Sequence, residues 1–182
     1  DGTIEKTGID LIKADKVNAK TKTNDETQDF AVFKGNVVTN RIYSNSEYVE
    51  IKSETLTYDK KNNYAKFEKV REIKAFSLQQ NATFYIYCDE MTWDLEKEKG
   101  LLTGTPVLFK KDDESYIITA NVVEIDKQKQ KVLFTKNPIA RQNDETGTGV
   151  YKAEKILYYA DKELVKMFGN VDINFVEKKK KE

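Results

Sequence analysis

The sequence predicts an all-β protein built from a repeated unit of strand, turn and strand. Apolar and polar side chains alternate with a period of two in segments rich in Val, Ile, Thr, Tyr and Phe, which is typical of strands with one buried face. Polar segments of turn-forming residues separate these strands. The strand pattern also recurs at a nearly constant spacing. Together these observations predict a curved, elongated sheet.

The alternation is clear in residues 88–93. Met91 and Trp93 fall on one side of the predicted strand, whereas Glu90 and Thr92 fall on the other. No segment shows a sustained helical period. The best helical candidate, AEKILYYADKELVKMF at 153–168, also matches the strand template and is interpreted as strand–turn–strand.

Turn signals follow the strands, and in several of them an aspartate comes first. The segments are DKKNN at 59–63, DLEKEKG at 94–100, DKQKQ at 126–130 and NDETGTG at 143–149. A polar hairpin tip is also predicted at 21–29, where TKTNDETQD lengthens the first repeat.

Each repeat opens with a small residue. Ser53, Cys88, Ala120 and Ala153 follow one another at spacings of 35, 32 and 33 residues, after a first unit that begins at Ala14. Cys88 has the acidic neighbours of a catalytic site, yet its place in this column predicts a packed thiol.

The acid after the small residue recurs as well, and its recurrence indicates an architectural role rather than a catalytic carboxylate pair. It is found as Asp15, Glu54, Asp89 and Glu154. Glycines and prolines mark predicted bends between strands, because glycine permits sharp corners and proline is tolerated at edges. They are Gly35, Gly104, Pro106, Pro138 and Gly169.

Composition argues against several classes of function. Lysine plus arginine and aspartate plus glutamate number 31 each and are interspersed, which argues against nucleic acid as a partner. Histidine is absent and there is one cysteine, so the usual general base, the usual metal ligands and an internal disulfide are missing. No apolar run approaches the length of a membrane span. We therefore predict a protein that is not an enzyme and uses no cofactor or metal.

The 182 residues are long enough to bury a sizeable core in one domain. We predict a single β domain over residues 11–176, a flexible N-terminal segment over 1–10 and a flexible charged tail, EKKKKE, over 177–182.

These motifs resemble the OstA-like family. The resemblance rests on a strand of the form small–acid–x–aliphatic–x–aromatic–Asp and on a Gly-Asn-Val bend, and it spans about residues 14–175. The matching segments are SETLTYD at 53–59, CDEMTWD at 88–94, AEKILYY at 153–159, FKGNVV at 33–38 and MFGNV at 167–171. Two bends depart from the pattern, with Glu68-Lys69-Val70 and Lys136-Asn137-Pro138 in its place.

The resemblance implies an elongated OstA-like β-jellyroll of two facing antiparallel sheets, open along one side and at both ends. It implies a periplasmic protein, with its export signal removed or outside this sequence, that carries lipopolysaccharide or a related glycolipid without catalysis. It also implies head-to-tail association with jellyroll domains of the LptC and LptD kind, or with further copies of this chain. A membrane-anchored LptC-like component, an LptD N-terminal-like component and a structural β-scaffold without lipid remain alternatives.

A carrier of this kind must keep acyl chains out of water, since exposing a dozen carbons costs roughly 10 kcal/mol at ~0.8 kcal/mol per methylene. Alternating strands provide an apolar groove, because every second side chain points between the sheets. The same side chains would equally fill a dry core. The predicted lining is Val17, Val37, Leu56, Tyr58, Phe67, Met91, Trp93, Leu102, Val107, Phe109, Val123, Ile125, Phe134, Ile139, Ile156, Tyr158, Met167, Val171 and Ile173.

Two further features bear on partners. Lys52 and Lys152 are candidates for contact with lipid phosphates. The apolar, nearly uncharged segment NVDINFV at 170–176 predicts an edge strand able to accept a strand of a neighbouring molecule, although it could instead be covered within its own fold.

Overall fold

The computed structural model of the protein describes residues 11–20, 30–43, 47–77 and 81–178. Within these ranges the chain forms strands and turns, and no helix there is long and apolar enough to cross a membrane. The strands are β1 (Leu11–Lys13), β2 (Lys16–Lys20), β3 (Phe30–Ile42), β4 (Tyr48–Asp59), β5 (Tyr64–Glu68), β6 (Glu72–Ser77), β7 (Ala82–Tyr87), β8 (Glu90–Asp94), β9 (Lys99–Lys111), β10 (Tyr116–Asp126), β11 (Lys131–Thr135), β12 (Ile139–Asn143), β13 (Gly147–Lys152), β14 (Lys155–Tyr159), β15 (Leu164–Phe168) and β16 (Asp172–Glu177).

The strands form two facing layers that share four long strands. All described strand pairs are antiparallel. The first layer contains β1, β6, β7, β12, β13 and β16, with the C-terminal halves of β3 and β9 and the N-terminal halves of β4 and β10. The second contains β2, β5, β8, β11, β14 and β15, with the other halves. This arrangement confirms the predicted all-β jellyroll of two antiparallel sheets.

The core lies between the layers. Ile73 and Ile86 of the first layer and Phe67 and Leu102 of the second are at most 4% exposed and belong to one apolar cluster. Each lies in a strand whose alternate side chains face away from the core, which is how a pleated sheet buries one face.

The layers join at corners where the long strands bend. The β3–β4 pairing shifts register between Lys34 and Val37, and the β9–β10 pairing shifts between Ala120 and Val122. The small residues of the repeat lie at these corners, where the converging layers leave little room. Ser53, Cys88 and Ala120 are accordingly buried. The predicted packed state of the Cys88 thiol is confirmed.

The repeated acids hold the corners together, as predicted. Each accepts a hydrogen bond from the bend in the neighbouring part of the chain, so the carboxylates are spread along the molecule rather than paired. The bonds run from Asn36 Nδ2 to Asp15 (3.0 Å), from Lys69 Nζ to Glu54 (2.7 Å), from Thr105 Oγ1 to Asp89 (3.4 Å) and from Asn170 Nδ2 to Glu154 (2.8 Å).

The two bends without the glycine motif keep the same backbone geometry. Lys69 (φ 52°) and Lys136 (φ 57°) adopt the left-handed conformation that Gly35 (φ 73°) and Gly169 (φ 68°) adopt elsewhere. A side chain makes this conformation unfavourable. The departures in sequence therefore leave the corners in place and add local strain.

The predicted turns at the far ends of the strands begin with aspartates that cap them. Asp59, Asp94 and Asp126 each accept a hydrogen bond from the backbone N–H three residues later, at 3.0, 2.8 and 3.0 Å. These bonds satisfy amides that no strand pairs, which is the usual role of aspartate in a tight turn. The predicted strand–turn–strand at 153–168 is confirmed as β14 and β15.

Three predicted segments fall wholly or largely outside the described residues. They are residues 1–10, the hairpin tip at 21–29 and the charged tail, of which residues 179–182 are not described. Glu177 belongs to β16, and Lys178 Nζ donates a hydrogen bond to the carbonyl of Asp144 at 2.7 Å. The described chain thus continues in contact with the fold past residue 176.

Candidate functional site: an apolar groove between the layers

A cavity of about 190 Å³ lies between the two layers near the N-terminal half of the molecule. This space is here called the groove cavity. Its walls come from both layers and are almost wholly apolar. They include Ile51, Ile73 and Ile86 of the first layer and Phe67, Met91 and Trp93 of the second. A more open space of about 470 Å³ adjoins it and shares Val49, Ala75 and Ile125 among its lining residues.

Arg41, Tyr43 and Lys127 line one end of the groove cavity, here called its mouth, and Glu98 lies beside Arg41. Arg41 Nη2 donates a hydrogen bond to Glu98 Oε1 at 3.3 Å, which links β3 in the first layer to the β8–β9 turn in the second. Lys127 Nζ lies 3.3 Å from the centroid of the Tyr43 ring, and Arg41 Cζ lies 4.8 Å from it. The mouth therefore places two cations at the rim of an apolar space.

Lys127 is half-buried, and the attraction of nearby carboxylates does not offset the effect of burial on its pKa. Burial lowers the pKa of its ammonium; Glu98 and Glu47 act in the opposite direction, while Arg41 lowers the pKa further. Among the described residues, Lys127 takes part in no salt bridge.

The lysines singled out from the sequence lie elsewhere. Lys52 Nζ donates a hydrogen bond to Glu72 at 2.8 Å, and this bond raises the pKa of the lysine. Lys152 is exposed on β13. Lys52 therefore already has carboxylate partners, and neither residue is part of the mouth.

Four aromatic rings fill the interior beyond the groove cavity. The Phe109 centroid in the first layer lies 5.6 Å from that of Phe134 and 6.4 Å from that of Tyr158, both in the second layer. Phe84 stacks on Phe109 at 5.4 Å. Because this aromatic cluster packs from one layer to the other, an acyl chain can pass this level only if the rings move apart.

Each layer ends in a strand with one free edge. Among the described strands, β15 pairs only with β14, and β16 pairs only with β13. Ile173 lies opposite Tyr151, and Phe175 lies opposite Gly149, so both side chains share the face of Tyr151, which packs against the core. This C-terminal end, formed by β15 and β16, exposes large apolar side chains by 40–65%, namely Leu164, Phe168, Val171, Ile173, Phe175 and Val176.

The predicted lining residues are mostly placed between the layers. Phe67, Met91, Trp93 and Ile125 line the groove cavity itself, and whether any of the set contacts lipid stays a prediction. The buried members are Val37, Leu56, Phe67, Met91, Leu102, Val107, Phe109, Val123, Phe134 and Ile156. The half-buried members that pack against this core are Tyr58, Trp93, Ile125, Tyr158 and Met167.

Three predicted lining residues are placed differently, and the side chain of a fourth lies outside the described residues. Ile139 pairs with Thr119 and Lys152 on the outer face, because the left-handed residues at the preceding corner put Ala140 inward instead. Val171 and Ile173 are 45% and 58% exposed, since no described strand covers that end. The backbone of Val17 pairs with Phe33, and its side chain lies outside the described residues.

Several lining residues of the first layer are missing from the predicted set. They are Ile51, Ile73 and Ile86, which line the groove cavity, together with the buried Ile118. Period-two alternation in 48–53, 72–77, 82–87 and 116–120 is the signal that identifies them. The repeat motif does not reveal this alternation, because the motif belongs to strands of the second layer.

No protein-family model matches the chain, and no curated protein matches it. Among solved structures, the chain is similar to LptH from Pseudomonas aeruginosa, described as the LptA homologous periplasmic component of the conserved lipopolysaccharide transport device. The similarity covers 95% of this chain and 96% of that chain, at 13% sequence identity and a TM-score of 0.35. The strand pairing described above establishes the fold.

Proposed function

We propose that the protein binds acyl chains of lipopolysaccharide, or of a related glycolipid, between its layers and passes the lipid on without catalysis. The observation that carries the proposal is the groove cavity, whose apolar walls come from both layers and which has a charged mouth on one side. This combination suits a ligand that is apolar at one end and charged at the other.

The size of the groove cavity sets how such a lipid would enter. An engineered apolar cavity of about 150 Å³ accepts benzene, so about 190 Å³ accepts a short segment of one chain. Binding several whole chains requires the layers to separate at the mouth. The shared long strands would then act as the hinge, and the Arg41–Glu98 bond would break.

We place this activity in the periplasm, in an LptA-like soluble bridge. The exposed apolar side chains and free edges of the C-terminal end suit docking of a jellyroll domain of the LptC or LptD kind, or of a second copy of this chain. A structural scaffold without lipid is the second candidate, and the aromatic cluster that fills the interior favours it.

A photo-crosslinking experiment separates the two. A photoreactive side chain at Trp93 faces the groove cavity, whereas one at the neighbouring Thr92 faces outward. With purified lipopolysaccharide we expect an adduct at position 93 and none at position 92. Equal labelling at both positions, or none at 93, would support the scaffold instead.

A further inference from the structure

Two cations meet at the mouth of the groove cavity. Lys127 and Arg41 both contact the ring of Tyr43, and both line the cavity. Like charges brought together in a half-buried place repel each other unless an anion lies between them. Glu98 supplies one negative charge, to Arg41 at 3.3 Å. Lys127 has no equivalent salt bridge among the described residues, and Glu98 and Glu47 attract its ammonium only from a longer distance.

The position of the Lys127 ammonium indicates which kind of anion could pair with it. Lys127 lines both the groove cavity and the open space beside it, so its ammonium lies at the boundary between apolar wall and solvent. An anionic head attached to a chain in the cavity would lie at that boundary. Charged hydrogen bonds from lysine and arginine are the usual means of holding phosphate and carboxylate groups.

We propose that Lys127 and Arg41 form an anion subsite for the phosphate or carboxylate head of an amphiphile whose acyl segment occupies the groove cavity. Glu98 holds the Arg41 guanidinium when the subsite is empty and is displaced by the incoming head. The proposal rests on the proposed function and deepens it, because it names the charged half of the ligand and the residues that select it.

The test uses dodecyl phosphate and dodecyl maltoside, which share a chain length and differ in charge, below their micelle concentrations. Trp93 is the only tryptophan and lines the groove cavity, so its emission reports occupancy. We expect dodecyl phosphate to bind more tightly than the maltoside. Lys127→Gln should weaken dodecyl phosphate by roughly tenfold, the effect of one charged hydrogen bond, and should weaken the maltoside much less, because the maltoside loses only packing against the side chain. Glu98→Gln should strengthen dodecyl phosphate binding, because a competitor for Arg41 is removed.

Lys129→Gln is the matched control. Lys129 lies in the same turn but points to solvent, where its side chain is 64% exposed and 3.9 Å from Asp126. It should bind both amphiphiles as the unmodified protein does. Thermal unfolding should confirm that Lys127→Gln is folded, since the 3.0 Å bond from its backbone N–H to the Glu98 carbonyl needs no side chain.

The outcomes separate the two proposals. If neither amphiphile binds, the lipid function fails and the subsite fails with it. If both bind equally and Lys127→Gln changes neither affinity, the groove stands and the anion subsite is overturned. Inorganic phosphate that competes at the concentration of dodecyl phosphate would replace the amphiphile with free phosphate as the ligand and overturn the proposal as stated.

Discussion

At the scale of single residues, the space at each corner decides which side chain is present. Ser53, Cys88 and Ala120 differ in chemistry but share small size and burial. Cys88 therefore carries a thiol, but that thiol is buried and not activated by its surroundings. Burial, with a smaller effect of the Asp89 charge, raises the pKa of its thiol from 9.0 to about 12.

We predict that the Cys88 thiol resists alkylation by iodoacetamide at pH 8 in the folded protein and reacts readily in urea. Thiolate is the reactive form, and the raised pKa leaves almost none of it at that pH. The same shift means that stability gained from keeping the thiol neutral is present below pH 9 and is lost as the pH rises toward 12. Mass spectrometry of the quenched reaction gives both rates, and equal rates would contradict a buried thiol.

At the scale of elements, two of the corners hold a lysine in a strained backbone conformation. Lys136 holds a left-handed backbone conformation with an exposed side chain. A non-glycine residue in that conformation costs about 1 kcal/mol or more, and glycine removes the cost.

Lys136→Gly should therefore raise the free energy of unfolding by about 0.5–1 kcal/mol, as measured by urea denaturation. Lys155→Gly is the control, because Lys155 is also exposed but lies in β14 with strand geometry. That variant should be destabilised by about 0.5–1 kcal/mol, since glycine weakens a strand interior. A loss of stability in both variants would show that the Lys136 corner is unstrained.

Strands and turns could be predicted from the sequence because each is encoded within a few residues. The face of a side chain could not be read in this way across a corner. Ser53 and Leu56 lie three apart in β4, yet both are buried, because the bend between them reverses the alternation. The same effect puts Ala140 inward in place of Ile139. Period-two reasoning holds on either side of a bend and fails through it.

At the scale of the whole molecule, the mouth and the aromatic cluster join parts of the chain that are far apart in sequence. Arg41 and Glu98 are separated by 57 residues. Local patterns identify the apolar stripe on each strand, but they do not say which stripes meet or where rings close the interior. The apolar character of the groove could therefore be predicted from the sequence. The aromatic cluster that closes the interior and the charged mouth could be identified only from the structure.

The C-terminal end leads to a prediction about assembly. The proposed docking at this end predicts that the protein associates as its concentration rises. The double substitution Ile173→Lys and Phe175→Lys should abolish that association, because charges on the exposed apolar end oppose docking. Thermal stability should fall less than association does, since both side chains are already about half exposed, at 58% and 43%. Leu101→Lys, which changes a side chain of similar exposure on the outer face of the second layer, is the control and should still associate. Sedimentation velocity over a range of concentrations measures this, and an unaffected double variant would show that this end is not the docking surface.

Acyl chains are proposed to lie between the two layers, and a brominated lipid gives the sharpest test of this placement. Bromine atoms on an acyl chain quench tryptophan fluorescence only at short range, and Trp93 is the only tryptophan and lines the groove cavity. We predict that a glycolipid with brominated chains quenches Trp93 emission strongly, while the same lipid without bromine does not. Binding of the brominated lipid with unchanged Trp93 emission would instead show that the chains lie outside the groove.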